Sequence, residues 1–375
     1  MTPGAATLLD SDQGSICAIP LAYSSSPHEG LVNIAQIAPL SEAVPPKLYG
    51  GTERVVAYLC DALIDCGHDV TLFAAADSHT RARLVSGRDQ PIRLDSTLLK
   101  SELAAHLTML AEVKRRADDF DVIHFHLDMM HFPMFEPLAH KTLTTVHGRL
   151  DLKDLPALYA RWRNFGLVSI SESQRIPLPS ANWIATVPHG LPPERYRFTE
   201  HPSPGYLAFL GRMAPEKRPD VAIGLALRSG VSLKVAAKVD AADLVYFETE
   251  LKPLLGSPLI EFVGEIDDEH KAQFLGNACA LLFPIDWPEP FGLVMIEAMA
   301  CGTPTIAWNC GSVPEIIDHG VTGFIVSSES QALAAIERVG ALDRRGIRAA
   351  FERRFAASRM ARAYEVAYRR LLGRE

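Results

Sequence analysis

Apolar runs of strand length alternate with amphipathic stretches of helix length from residue 31 almost to the end of the chain. Leu31–Ala38 is a continuous apolar run that opens into a loop bearing Pro39, Pro45 and Pro46 and ending at Gly50-Gly51. The spacing of Val55, Val56, Leu59, Ala62 and Leu63 predicts a helix over Thr52–Cys66, closed by Gly67. Strand-length runs follow at Val70–Ala75, Val122–Phe125, Leu143–His147, Leu167–Ile170 and Trp183–Val187. Strands apolar on both faces and separated by helices indicate a parallel, doubly wound sheet.

Pro192–Pro204 interrupts this rhythm; it is dense in proline and charge and reads as a linker. Beyond it the pattern restarts, with strands expected at Tyr206–Gly211, Ser232–Ala236, Leu259–Gly264, Ala280–Pro284, Thr305–Ala307 and Gly323–Val326. Helices are expected at Pro219–Ser229, Asp267–Gly276 and Phe291–Ala300. The fold class is therefore α/β, with two Rossmann-like domains, 30–195 and 196–355, whose parallel sheets face a central cleft. Ligands in such sheets bind outside the carboxyl ends of the strands. Residues 1–29, rich in Ser, Ala, Gly and Pro, read as a mobile extension. Residues 356–375 read as a helix that crosses back onto the first domain.

Composition narrows the function. With 48% hydrophobic and 22% charged residues, the 375-residue chain has ordinary soluble composition. No run reaches the ~18 uncharged apolar residues of a bilayer span. A formal net charge of −8 disfavours a nucleic acid partner. The arginines of Arg338–Arg370 read as a solvated helical face, peripheral membrane contact being the other reading. The cysteines, Cys60 and Cys66 included, are scattered without a C-x-x-C pair and read as reduced thiols. Without a secretory signal pattern the expected compartment is cytoplasmic.

Two constellations carry chemistry. In Phe209–Pro219 a strand ends at Gly211, and Arg212 and Lys217 follow before a helix that opens with Pro219. Two cations beside helix-terminal N–H groups suit a diphosphate; a solvated charged loop is the plainer reading. In Pro288–Ala298, Glu289 stands in a proline-flanked loop and Glu297 lies two turns into the following helix. Two carboxylates so spaced can grip two hydroxyl-bearing parts of one extended ligand, with Phe291 and Gly292 bringing backbone N–H groups to the phosphates and Pro290 and Leu293 beside them on the donor side. A separate cluster, His124, His126, Asp128 and His131, reads either as a metal site, as an acceptor-side cleft lining, or as strand-end packing.

Gly-Arg-x-x-Pro-Glu-Lys, Val263-Gly264-Glu265, the Glu-x7-Glu pair and Gly311-Ser312-Val313-Pro314-Glu315, in that order, resemble the family-4 retaining glycosyltransferases. The likeness is dense over 205–326 and looser at Tyr49–Glu53, Val146-His147-Gly148 and Val187–Gly190. It implies a hexosyltransferase of GT-B fold, working without metal or cofactor on a nucleotide-diphosphate sugar, UDP-glucose-like first and GDP-mannose second. It further implies Arg212 and Lys217 as the diphosphate clamp, Glu289 on the sugar and Glu297 on the ribose. Val263, Gly264 and Ile266 would face the base, Gly50 and Gly51 the phosphates, and His147 the transferred sugar. His189 stands where the family usually has Asn and receives no role. Another GT-B enzyme, such as an epimerase or phosphorylase, and a non-catalytic nucleotide-sugar sensor are the rivals. Small metabolites, natural-product aglycones and lipid or polysaccharide intermediates all fit as the hydroxyl acceptor.

Overall fold

The first sheet runs in the order β3-β2-β1-β4-β5-β6-β7 and the second in the order β10-β9-β8-β11-β12-β13, as seen in a computed structural model describing residues 31–47, 50–203 and 205–374. The N-terminal stretch expected to be mobile lies outside these residues. The strands of the first sheet are β1 (Asn33–Ile37), β2 (Asp69–Ala75), β3 (Arg83–Arg88), β4 (Val122–Phe125), β5 (Thr142–Thr145), β6 (Gly166–Ser169) and β7 (Trp183–Thr186). Those of the second are β8 (Leu207–Arg212), β9 (Leu233–Lys238), β10 (Ile260–Gly264), β11 (Ala280–Phe283), β12 (Thr305–Trp308) and β13 (Gly323–Val326). Every pairing is parallel. The interior strands β4, β5, β6 and β11 are buried at every position because helices cover both faces, which is why they read as unbroken apolar or threonine-rich runs.

The longer helices of the first lobe are α1 (Gly51–Asp65), α2 (Glu102–Arg115) and α3 (Leu155–Arg161). Those that follow are α4 (Pro219–Ser229), α5 (Asp268–Gly276), α6 (Leu293–Ala300), α7 (Glu329–Arg338), α8 (Arg344–Arg354) and α9 (Ala357–Leu371). α4 occupies the span its pattern predicts, with Pro219 at its first position and Gly230 in the left-handed conformation after its end. Edge strand β3 and helix α2 are additions to the expected element set. Among the described residues no helix is long and apolar enough to cross a membrane.

After α8 the chain returns to the first lobe. Ala357 donates to the Leu191 carbonyl at 2.9 Å and Leu191 to the Phe355 carbonyl at 2.8 Å, so two chain crossings are tied side by side. α9 then buries Met360, Ala361, Tyr364, Ala367 and Tyr368, the i, i+1, i+4, i+7, i+8 stripe of an amphipathic helix. It lies against α1 and reaches the sheet, where the Tyr364 hydroxyl meets Thr145 Oγ1 at 2.8 Å.

Three arginines of the tail correct the expectation of a solvated basic face. Arg344 donates to the carbonyls of Thr199 (2.7 Å), Ala278 (3.0 Å) and Gly276 (2.9 Å). Arg348 donates to the carbonyls of Tyr196 (2.8 Å), Pro193 (3.0 Å) and Ala300, and Arg354 to those of Glu315 and Ile316. A guanidinium offers five N–H groups in a fixed fork, so each one satisfies several carbonyls at loop and helix ends. The 193–199 segment is thereby fastened to the second lobe, with Tyr196 buried. Cys60 and Cys66 are both free thiols.

Candidate active site

Both sheets direct their carboxyl ends at one cavity of about 530 Å³. Pro39 and Ser41 follow β1, His147 and Gly148 follow β5, and Ile170 follows β6; from the other lobe come Gly211, Lys238, Ile266 and Ile285. The order reverses at β1/β4 in one sheet and at β8/β11 in the other, and the cavity opens where those two switch points face each other. The first turn of α1 (Gly51, Thr52, Glu53) and that of α6 (Leu293, Val294) both border it. A Cβ on Gly51 would lie 3.4 Å from Leu293 Cδ1, so the two helix N-termini meet across the cleft. The positive ends of two helix dipoles therefore point at the same volume, an arrangement suited to an anion.

Side-chain charge acts in the same direction. Six basic residues line the cavity (Arg54, Arg93, Arg212, Lys217, Lys238 and Lys271) against four acidic ones (Glu53, Glu265, Glu289 and Glu297). The excess is positive although the chain as a whole carries −8. Lys217 forms an ion pair with Glu289, and its ammonium lies 5.2 Å from the centre of the Trp287 ring. Trp287 Nε1 donates to Glu289 Oε2 at 2.9 Å. Arg212 pairs with Glu216, Asp243 (3.3 Å) and Asp240 (3.6 Å). Glu297 is 3% exposed and accepts from Lys271 at 2.8 Å and from the Tyr196 hydroxyl at 3.2 Å.

The Glu289 loop is held by the motif that follows β12. Gly311 has φ 57°, and a Cβ there would come within 2.5 Å of both the nitrogen and the oxygen of the Glu289 backbone. Only glycine combines that backbone conformation with that approach. Ser312 adds its amide to the Glu289 carbonyl (3.1 Å) and its hydroxyl to the Phe291 carbonyl (2.6 Å).

His147 reaches the cavity at the head of a buried polar chain. Gln36 Nε2 donates to the Tyr368 hydroxyl at 3.0 Å, and Gln36 Oε1 accepts from His126 Nε2 at 2.8 Å. A neutral imidazole carries one N–H, so His126 Nδ1 accepts from His147 Nε2 at 2.8 Å and His147 Nδ1 is left as a lone pair without a protein partner. Burial lowers the His147 pKa to about 3; burial and then neighbouring rings hold His126 and His124 well below the ordinary value. His147 is thus uncharged at neutral pH and suits a hydroxyl better than a phosphate. The His189 ring stacks on it at 5.3 Å, also lines the cavity and is also kept neutral by burial.

The cavity collects Gly50, Gly51, His147, Gly211, Arg212, Lys217, Ile266, Glu289, Pro290, Phe291, Gly292, Leu293 and Glu297 from residues more than two hundred positions apart. Val263 and Gly264 are not among its lining residues: edge strand β10 shifts register between Phe262 and Gly264, and Gly264 has φ 83°, which hands the lining to Glu265 and Ile266. Nor do His124 and His126 line it. His124 is fully buried between Tyr368 (2.9 Å) and Thr145 (2.7 Å), and His126 is spent on Gln36 and His147. His131 turns to Thr144 Oγ1 at 3.0 Å and stacks on Phe125, so these histidines share no common point. Sequence reasoning passed over Trp287, Lys238, Lys271, Arg54 and Arg93. For His189 a signal existed, since His147-Gly148 and His189-Gly190 occupy equivalent places just after strands β5 and β7.

Residues 49–198 match the family described as Glycosyltransferase Family 4, and residues 194–344 the family described as Glycosyl transferases group 1. A phosphatidyl-myo-inositol mannosyltransferase of Mycolicibacterium smegmatis is 24% identical over 347 residues, covering 85% of this chain and 87% of the relative. Sucrose-phosphate synthase from Thermosynechococcus elongatus has a similar structure, with a TM-score of 0.74 at 20% identity over 92% of this chain and 100% of that one. HepE of Anabaena, solved in complex with UDP-glucose, reaches a TM-score of 0.67 at 16% identity over 88% of this chain and 97% of that one. With its two facing parallel sheets and the two family domains that together span 49–344, the chain belongs to the GT-B glycosyltransferases, a Glycosyltransferase Family 4 domain followed by a Glycosyl transferases group 1 domain.

Proposed function

We propose that this glycosyltransferase moves a hexose from a nucleoside diphosphate sugar to a hydroxyl acceptor in the cytoplasm, retaining the anomeric configuration and using no metal ion. The observation that carries this reading is the convergence of Lys217, Arg212, Glu289 and two helix N-termini on one cavity between the carboxyl ends of both sheets. Cleaving the anomeric C–O bond leaves negative charge on the departing diphosphate. Lys217, Arg212 and the amides at Gly51 and Leu293 are the groups that neutralise it, and a preorganised donor of this kind is worth about 2.7–4 kcal/mol of barrier. Glu289, oriented by the Trp287 N–H, accepts from sugar hydroxyls, and Glu297 takes the ribose. Neutral His147 borders the transferred sugar. The acceptor oxygen attacks on the face the phosphate leaves, and its proton passes to a phosphate oxygen. A UDP-glucose-like donor comes first because a neighbour of the same fold was solved with UDP-glucose; a mannosyl donor comes second because similar chains are named mannosyltransferases.

The test is nucleotide release from a panel of sugar nucleotides, with and without a chelator, followed by NMR of the anomeric proton of the product. Release that persists under chelation with an unchanged anomeric configuration is expected. An inverted product, a covalent glycosyl-enzyme trapped on a carboxylate, or loss of activity on chelation would each overturn the corresponding part. Binding without any release would make the protein a sensor.

A further inference from the structure

Glu315 ends the Gly311–Glu315 motif but does not line the cavity; its carboxylate crosses to the first lobe. One oxygen accepts from the Glu172 amide at 2.8 Å and the other from the Ser173 amide at 2.7 Å, the first amides of the single helical turn Glu172–Arg175. Ser171, which caps that turn, donates its hydroxyl to the Pro290 carbonyl at 2.6 Å, a second bond between the lobes. Gln174, on the same turn, is buried and donates its side-chain amide to the carbonyls of Val146 (3.0 Å) and Gly148 (2.8 Å). Those two residues flank His147. Its Oε1 accepts from the Ile170 amide at 2.9 Å, so all of its amide atoms are committed.

One turn of helix therefore touches the Glu289–Phe291 loop on one side and the backbone around His147 on the other. Bonds from a carboxylate to two backbone amides are charge-assisted and about twice as strong as neutral ones. An amide in place of Glu315 keeps only one acceptor oxygen and turns an N–H2 toward an N–H donor.

We propose that Glu315, Ser171 and Gln174 are positioning residues that couple closure of the cleft to the placement of His147 over the donor sugar. Glu315 and Ser171 latch the lobes, and Gln174 transmits the latched position to the His147 backbone. This rests on the cavity being a nucleotide-sugar site. It also explains why a glutamate remote from the cavity belongs to a motif otherwise devoted to the Glu289 loop.

The test measures Glu315→Gln, Gln174→Met and Ser171→Ala in the full chain by steady-state kinetics, UDP titration, thermal unfolding and small-angle X-ray scattering. Expected are UDP affinities within about threefold of wild type, because the nucleotide rests on the second lobe, and kcat lower by roughly tenfold to a hundredfold for Glu315→Gln and Gln174→Met. The double variant should lose no more than the worse single one, since both residues act through one chain of contacts. Ser171→Thr, which keeps the hydroxyl, should restore what Ser171→Ala loses. Scattering should show a larger radius of gyration for Glu315→Gln and a wild-type radius for Gln174→Met. Losses that multiply in the double variant, or UDP affinity falling in parallel with kcat, would overturn the coupling. Should wild type turn over no sugar nucleotide, the functional reading fails on its own; the latch is then judged by scattering, where a wild-type radius for Glu315→Gln overturns it.

Discussion

Replacing Gly311 by alanine tests whether the Glu289 loop is held as tightly as the geometry requires. At φ 57° an alanine bears about 1–2 kcal/mol of left-handed strain. Its Cβ would also lie 2.5 Å from two backbone atoms of Glu289, where ordinary contact begins at 3.4 Å, so the loop must retreat by about 3.4 − 2.5 = 0.9 Å. A displacement near 1 Å at a reacting group costs on the order of a hundredfold in rate. We expect kcat/KM for the sugar nucleotide to fall about a hundredfold, equivalent to about 2.7 kcal/mol of lost transition-state stabilisation. Free UDP should bind within about threefold of wild type, since it makes no use of Glu289. Gly311→Asn separates the two causes, because asparagine tolerates the left-handed region but carries the same Cβ. If strain alone mattered, asparagine would be far better than alanine. A wild-type rate for Gly311→Ala, measured by nucleotide release, would refute the argument.

Acidification should destabilise the fold through its buried histidines. Their folded-state pKa values lie below the ordinary value of about 6.5, so the unfolded chain binds more protons and stability is lost as pH falls through that value. His147, lowered to about 3, accounts alone for about 1.4 kcal/mol per pH unit in that window, fully developed stability lying above pH 6.5. Urea midpoints at pH 7.5, 6.5 and 5.5 check the sign; a midpoint that rises on acidification contradicts it. Arg348→Ala should cost about 3 kcal/mol in chemical denaturation, because three carbonyls lose their donor, while exposed Arg353→Ala should stay within about 0.5 kcal/mol. Equal effects would return the tail arginines to a merely solvated role.

Regular elements were legible wherever both faces of a strand are buried. The apolar run Val122–Phe125 and the proline-to-glycine span Pro219–Ser229 coincide with β4 and α4. Edge strand β3 was not, because Arg83–Arg88 is at most half-buried and has only Leu84 and Val85 as apolar side chains between its terminal arginines. Helix α2 buries only His106, Met109, Leu110 and Val113, too narrow a stripe to stand out among its exposed leucines. At the site, charged residues in fixed register to a strand end, Arg212, Lys217 and Glu289, could be placed from order and spacing. The bulge in β10 could not, and it moves the lining from Val263 and Gly264 to Glu265 and Ile266. His124 and His126 looked cleft-facing because polar residues at a strand end usually are. What periodicity could not show is that α9 returns Tyr368 to His124 and Tyr364 to Thr145, while His126 is taken up by Gln36 and His147. Arg344, Arg348 and Arg354 of α8 were misjudged for a related reason, Arg345 and Arg353 being exposed as expected: a carbonyl-binding guanidinium and a solvated one have the same sequence signature.

The central claim is that Lys217 and Glu289, joined to each other here, hold the phosphate end and the sugar end of one ligand. Nucleotide release and UDP titration on wild type, Lys217→Ala and Glu289→Ala, with thermal unfolding alongside, test it directly. Both variants should remain folded and lose roughly a hundredfold to a thousandfold in rate. UDP affinity should drop for Lys217→Ala and hold within about threefold for Glu289→Ala. A wild-type rate in either variant, or equal loss of UDP affinity in both, would contradict it.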